Sequence, residues 1–335
     1  MKIKAYAIKE KGGKPELFFY ERNVGNNDVL VRITHCSIAR GDVQYISDDW
    51  SDANFPLVPG HEIIGIIENT GSNVTGLKIG DRVGVGYQLE ACFECEFCKE
   101  GNEQFCPHQK VIAVDRYGGL AEHIIVDNRF AFPIPANLDS AKAAPLLSSG
   151  LTVYSAIVSA GLRNNSTVAV LGIGGLGQLA IQFLHKMGHA VSAFSHSPEK
   201  KKLIEQLGAT YIDSSNLNSL AANARNFDFI LSSTLNADFD LNAYLKLLKP
   251  QGKFCFVSSP LKRLYVSVGL LYDYARRTIY GNYTGSCMEM LDMLAFSAEH
   301  NIESIVEVMQ FAKINEAIEM VKSGIVSERL VLENP

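Results

Sequence analysis

No stretch of this sequence approaches the roughly 18 consecutive apolar residues that a membrane-spanning helix needs, although 47% of its 335 residues are hydrophobic. The opening residues, MKIKAYAIKEKG, alternate charged with apolar side chains. They hold no apolar segment of the kind a secretory signal carries. Basic charge is not in excess either. The formal net charge is -5, which offers no electrostatic footprint for nucleic acid or for an anionic membrane surface. Internal repeats and low-complexity segments are lacking. These absences point to a cytoplasmic protein with neither nucleic-acid nor membrane partners. Its length suits two domains, each with its own core.

Cysteine is present, and its placement matters more than its number. Cys92, Cys95, Cys98 and Cys106 crowd one short stretch, whereas Cys36, Cys255 and Cys287 are scattered. In a reducing compartment such a cluster indicates a metal site rather than a disulfide framework. Four thiolates match tetrahedral zinc, and a closed all-cysteine shell leaves no coordination position for chemistry. The expected role is therefore structural, in a lobe spanning about residues 88–108. An iron–sulfur cluster and unligated thiols are the alternatives. Pro107 follows Cys106 as in a ferredoxin run, but the gap from Cys98 is longer than the roughly three residues of that run.

The first part of the chain reads as β-rich. VLVRITHC, EIIGIIENTG and AEHIIVD are strand-like, punctuated by Gly71, Gly76, Gly80 and Gly118-Gly119. From about Gly150 the pattern changes. Strand TVAVL precedes helix GLGQLAIQFLHKMG, strand AVSAF, helix PEKKKLIEQLG, strand FDFILSS, helix DLNAYLKLLK and strand KFCFVS. That alternation predicts an α/β fold with a parallel sheet covered by helices on both faces. After about Gly285 come helices EMLDMLAFSAEH and NEAIEMVKSG and a final strand, ERLVLE.

Gly172, Gly174 and Gly177 form G-x-G-x-x-G, with Gly175 and Leu176 between them, after a predicted strand and at the opening of a predicted helix. That context favours a dinucleotide-binding turn over a glycine-rich turn in some other α/β sheet. The first glycine permits the turn, the second lets backbone approach a pyrophosphate, and the third packs helix on strand. The helix N-terminus presents free N–H groups to the phosphates. An acid about 20 residues past the first glycine would hold the ribose hydroxyls of NAD. Here that stretch is Ser195, His196 and Ser197, followed by Lys200 and Lys201. Hydroxyls and a cation suit the 2′-phosphate of NADPH, and Ser197 with Pro198 also reads as the N-cap and first residue of a helix.

Gly60-His61-Glu62, the four-cysteine lobe, Gly118-Gly119-Leu120-Ala121-Glu122 and the GIGGLG turn occur in the order of the zinc-type medium-chain dehydrogenase/reductases. The chain resembles their cinnamyl-alcohol-dehydrogenase branch, with its bacterial NADPH-dependent aldehyde reductases, nearly end to end, as far as SERLVLEN. The resemblance implies a GroES-like β-rich catalytic domain, residues 1–150 and 286–335, interrupted by a Rossmann doubly wound NADP-binding domain, residues 151–285. It further implies a homodimer through the edge of the Rossmann sheet, a small-molecule carbonyl substrate, and cofactor contacts from Thr152 and Arg329.

The family's catalytic metal shell does not carry over. Its C-H-[ST]-D-x-H loop is Ala39-Arg40-Gly41-Asp42-Val43-Gln44 here, and its second zinc cysteine, in L-L-C-[AS]-G, is Ser148. Of the shell only His61 and Glu62 stand. Cys36 lies three positions before Ala39, about 10 Å in extended chain, and reads as a small buried residue. The altered loop, Ser37 to Asp42, resembles the N-R-x-D loop of the zinc-free quinone reductases. Aldehyde reduction builds charge on one oxygen, which zinc stabilises by several kcal/mol. An enone or quinone spreads that charge, so hydrogen bonds suffice. The expected function is NADPH-dependent reduction of a conjugated carbonyl without catalytic zinc, with Arg40, Asp42, Tyr45, His61, Glu62 and Ser148 at the site and Arg40, Tyr45 and His61 as donors. The competing readings are Arg40 paired with Asp42 or a surface acid, Tyr45 in the core and His61 merely satisfied. The rival functions are an aldehyde/alcohol oxidoreductase and a non-catalytic NADPH sensor.

Overall fold

A computed structural model describes residues 1–234, 239–258, 263–324 and 328–334. Ser327, the first residue of SERLVLEN, lies outside the described residues. Two units emerge: Met1–Ser148 with Gly285–Pro335, and Ser149–Thr284.

The hub of the first unit is the strand Asp28–Ile38. Val29, Val31, Ile33 and Cys36 are fully buried along it. It pairs antiparallel with Ile63–Thr70, His123–Asp127 and Arg329–Glu333. The sheet runs Val306–Gln310, Arg329–Glu333, Asp28–Ile38, Ile63–Thr70, Arg82–Val85, Phe132–Pro133, with His123–Asp127 off this path. The alternation in the opening residues, not assigned to a strand from the sequence, is the strand Lys2–Ala7. It pairs with Glu16–Glu21 and buries Ile3, Ala5 and Ala7. The helix Arg40–Ile46 was also not foreseen. Its second residue is glycine, a poor helix former, but Asp42 satisfies its N-terminus: the Ala39 N–H donates to Oδ2 at 2.7 Å. Gly60 is required for two reasons. Its φ is +97°, and a Cβ there would stand 2.6 Å from Cys36 Sγ. That fits the reading of Cys36 as a small buried residue.

The second unit holds a six-stranded sheet, parallel throughout: Thr210–Asp213, Ala190–Ser195, Thr167–Leu171, Phe227–Ser232, Leu248–Phe256, Thr278–Gly281. Counted within the unit this is order 3-2-1-4-5-6, the Rossmann arrangement. Phe194, Phe227, Ile230, Leu245 and Phe254 form its core. The expected helix DLNAYLKLLK is shorter than its pattern suggests. It ends at Leu245, and Leu248 already begins a strand. Pro250 lacks an N–H and biases Lys249 toward extended backbone, so the leucine spacing cannot continue as helix. No single helix among the described residues is long and apolar enough to cross a membrane.

Candidate metal lobe, catalytic ring and dinucleotide turn

The sulfurs of Cys92, Cys95, Cys98 and Cys106 all lie within 4.8 Å of one another. Cys92 Sγ is 3.5 Å from Cys106 Sγ and 3.9 Å from Cys98 Sγ. A disulfide would need about 2.05 Å. Zinc at roughly 2.3 Å from each of four sulfurs sets sulfur–sulfur edges of roughly 3.8 Å. The four donors therefore fit one ion, and they crowd too closely for the cage of a multi-iron cluster. Backbone amides prepare the thiolates. The N–H groups of Glu94 and Cys95 donate to Cys92 Sγ at 3.5 and 3.3 Å, those of Cys92 and His108 to Cys106 Sγ at 3.4 Å each. The Glu94 amide, then that of Cys95, brings the Cys92 thiol down to about 6. The lobe is anchored within its unit by Arg129, whose guanidinium lies 3.5 Å over the Phe93 ring and pairs with Asp127. Glu103 adds a second tie, accepting from the Cys287 N–H.

The second cluster surrounds His61. Asp42, 1% exposed, accepts from the Gly60 N–H at 2.7 Å and lies 2.9 Å from His61 Nδ1 through the same oxygen, Oδ1. Burial alone would raise the Asp42 carboxyl. The charge and hydrogen bond of His61, with the amides of Ala39 and Gly60, hold it below 3.8. Burial presses the His61 imidazole downward, but Asp42 and then Glu62 lift it above 6.5. Glu62 is fully buried and pairs with Arg329, itself 13% exposed at the side chain. Arg329 was expected as a cofactor contact; the structure sets its Nη2 on Glu62, 267 residues away in sequence. Ala39 is buried, and Ser148 is half-buried after the turn Ala144–Leu147.

Of the expected donors, Arg40 is exposed at the start of its helix, and the pairing with Asp42 considered for it is not formed. Tyr45 is 4% exposed, and its hydroxyl lies 2.6 Å from that of Tyr87. Its ring meets Trp50 edge-on at 4.8 Å. The Tyr87 ring in turn meets His61 at 6.1 Å and 85°. Tyr87 and Trp50 were not singled out by the sequence. No local pattern marks a contact between residues 45 and 87; only the fold does.

The dinucleotide turn behaves as its glycines imply. Gly172 has φ +84°, and a Cβ on Gly177 would stand 1.9 Å from the Gly172 carbonyl oxygen. A Cβ on Gly174 would meet nothing within 4 Å, which leaves open ground where a pyrophosphate needs it. The helix Gly175–Lys186 has Gly174 at its N-cap and no side-chain capping bond there. Leu176 lies in its first turn. Ser195 closes the strand Ala190–Ser195, and its Oγ accepts from the Ser197 N–H at 3.1 Å. His196 is exposed. Ser197 and Pro198 do open a short 3-10 turn, but the Ser197 side chain makes no capping bond. Lys200 reaches back to the glycine turn and donates to the Ile173 carbonyl at 3.1 Å. Thr152 donates its hydroxyl to the Tyr283 carbonyl at 2.7 Å.

Known proteins agree with this construction. Residues 25–136 match the alcohol dehydrogenase GroES-like domain, and residues 175–299 the zinc-binding dehydrogenase family. An aldehyde reductase, AdhA, of Synechocystis is 36% identical over 334 residues, covering 99% of each chain. Among solved structures, the cinnamyl alcohol dehydrogenase SbCAD4 of Sorghum bicolor gives a TM-score of 0.94 at 31% identity, covering 99% of this chain and 98% of that one. The Helicobacter pylori CAD complexed with NADP(H) gives 0.90 at 31% identity, with the same coverage. The class is thus an oxidoreductase in which a Rossmann sheet interrupts a GroES-like fold: the chain belongs to the zinc-type medium-chain dehydrogenase/reductases. Within them it is a member of the cinnamyl-alcohol-dehydrogenase branch.

Proposed function

We propose that this chain reduces a conjugated carbonyl compound, an enone or a quinone, with NADPH and without a catalytic zinc. The observation that carries the reading is the donor set around His61. A catalytic zinc takes three protein ligands and keeps one open position. The family's two thiolate positions hold the methyl of Ala39 and the hydroxyl of Ser148. His61 Nδ1 is engaged by Asp42, and the Glu62 charge is matched by Arg329. Among the described residues, the four cysteines are the only set of three or more His, Cys, Asp or Glu side chains whose donor atoms converge. With both thiolate positions lost, His61 Nε2 is left as a single ready donor, too few for a catalytic zinc, which favours acceptors whose developing charge is delocalised.

NADPH follows from the strand end at Ser195, which offers hydroxyls, His196 and Lys200 where an acid would receive the ribose of NAD. Lys200→Ala should weaken NADPH binding by ~1–3 kcal/mol and leave NADH nearly unchanged. Equal losses, read by fluorescence titration of each cofactor, would remove this assignment. A homodimer is supported by the position of Thr278–Gly281, which ends the sheet order with one neighbour among the described residues, and by the exposed Tyr272 and Tyr274 just before it.

The second reading, aldehyde or alcohol turnover, is favoured by what the relatives are named for. Metal analysis beside an acceptor panel separates the two. The expected result is one zinc per chain, and NADPH consumption with 2-cyclohexenone or menadione that a chelator sparing the four-cysteine site does not alter. Rapid, chelator-sensitive oxidation of a primary alcohol would overturn it. Cofactor binding with no turnover would point to a sensor.

A further inference from the structure

We infer that the paired phenols of Tyr45 and Tyr87 are the proton source for the acceptor oxygen, and that Tyr87 is thereby a catalytic residue. The inference rests on the reading above, since it asks what answers the charge when no metal does. Hydride arriving at the β-carbon of an enone breaks the C=C π bond and leaves an electron pair spread toward the oxygen. Bound NADPH supplies that hydride and ends as NADP+; one proton must still reach the oxygen to give the enol, which tautomerises to the saturated ketone.

The chain's own groups narrow the proton source. His61 has Nδ1 committed to Asp42. Its other nitrogen lies toward Gly41, where a side chain would begin 3.6 Å from Nε2 and 3.3 Å from Cε1. Glycine leaves that volume open, at the position where the family pattern has a hydroxyl. The tyrosine pair offers hydroxyls on the Tyr87 side of the His61 ring. Tyr87 stands edge-to-face against the His61 ring, and its oxygen is 2.6 Å from that of Tyr45. Asp42, Glu62 and Arg329 are the other charged groups of this cluster, and they are engaged with His61, with one another or with backbone amides.

The pairing is what makes a phenol a usable acid. When one oxygen gives up its proton, the other phenol donates to the phenolate left behind. Such a charge-assisted bond is roughly twice as strong as its neutral counterpart. Tyr45 is held for this task, buried and fixed against the Trp50 ring. Tyr87 is only partly buried, so solvent can return its proton after each turnover. The balance closes: hydride from the dihydronicotinamide, proton from Tyr87, and proton back to Tyr87 from water. The half-buried rings of Trp50 and Tyr87 also offer flat surfaces, which suit a planar conjugated acceptor.

The test uses the full chain with its zinc lobe loaded. Tyr87→Phe should lower kcat for 2-cyclohexenone by ~100-fold, the scale of one general acid, with KM little changed. It should also abolish the loss of rate at high pH expected of the parent, a limb that a merely structural role would leave in place. Tyr45→Phe should retain that limb and move it to higher pH. A second readout needs no turnover. Trp50 is the sole tryptophan of the chain, so its emission reports on this cluster alone. Without NADPH, 2-cyclohexenone should change that emission saturably, and Tyr87→Phe should raise the half-saturating concentration several-fold.

Parent-like turnover and parent-like titration in Tyr87→Phe would overturn the inference, as would emission indifferent to the ligand. If the parent reduces cinnamaldehyde at its carbonyl and ignores cyclohexenone, the enone reading fails. The same substitution then decides the role of Tyr87 on cinnamaldehyde.

Discussion

Two clusters of the first unit stand where the family pattern has metal ligands, and they are built on opposite principles. The lobe at Cys92–Cys106 converges four soft donors and feeds two of them, Cys92 and Cys106, with backbone N–H groups, so that an ion would complete the shell. The ring around His61 has no such surplus. Asp42 is matched by His61, Glu62 by Arg329, and the two tyrosine hydroxyls by each other. The contrast teaches that a binding site is recognised by unmet demand rather than by residue type. Glu62 is answered by Arg329 and His61 Nδ1 by Asp42, which leaves His61 Nε2 as one ready donor where a catalytic zinc needs three.

The contrast can be broken most forcefully at the lobe. Cys95→Ser should remove the ion and destabilise the chain by about 4 kcal/mol or more, the upper class of single-substitution effects. Thermal melts should show this loss with little change in NADPH affinity. A chelator strong enough to strip the lobe should reproduce it. Unchanged melting would mean that the sulfurs hold nothing of structural weight.

Glu62→Ala comes next. It strands the Arg329 guanidinium at a site 13% exposed. Removing one partner of a buried pair typically costs about 3–5 kcal/mol. Replacing Glu62 and Arg329 together by apolar residues should recover much of that loss. Equal destabilisation of single and double variants would indicate that the pair is not self-contained.

Asp42→Asn should have the smallest effect, and a pH-dependent one. The His61 imidazole is raised above 6.5 in the fold, so its contribution is full below that value and fades as pH rises through the raised one. The Asp42 carboxyl is lowered below 3.8, so its contribution is present above that value and fades as pH falls through the lowered one. The stability gap between parent and Asp42→Asn should therefore be widest between about pH 4 and 6.5 and narrow on both sides. A gap flat across that range, measured by denaturant titration at each pH, would show that the two groups do not form a charged pair.

What could be read from the sequence was local. The Cys-x-x-Cys-x-x-Cys spacing and the G-x-G-x-x-G turn each place their functional atoms within one or two turns of chain, so residue order alone constrains their geometry. Strand Lys2–Ala7 was hidden in plain alternation, because the charges of Lys2 and Lys4 argue against a secretory signal as readily as they mark the outer face of a pleat. Helix Arg40–Ile46 was masked by Gly41, and the helix Leu241–Leu245 was drawn too long because leucines that serve a strand kept a helical spacing. Tyr87, Trp50 and the Glu62–Arg329 pair were beyond reach for a different reason. Each depends on which strands lie side by side, and that information resides in the sheet order.

The strand Arg329–Glu333 carries a consequence for how the molecule is made. It flanks Asp28–Ile38 on one side of the hub and delivers the guanidinium that answers Glu62. Residue 329 leaves the ribosome some 290 residues after that hub strand does, which at roughly 5–20 residues per second is a wait of tens of seconds. The second unit, Ser149–Thr284, is continuous and can complete its sheet during this interval. The first cannot. Until the last strand arrives, a buried carboxylate lacks its counter-charge and a central strand shows an open edge to solvent. Nascent chains stalled before residue 329 should therefore be the aggregation-prone and chaperone-bound species, however well formed their nucleotide fold.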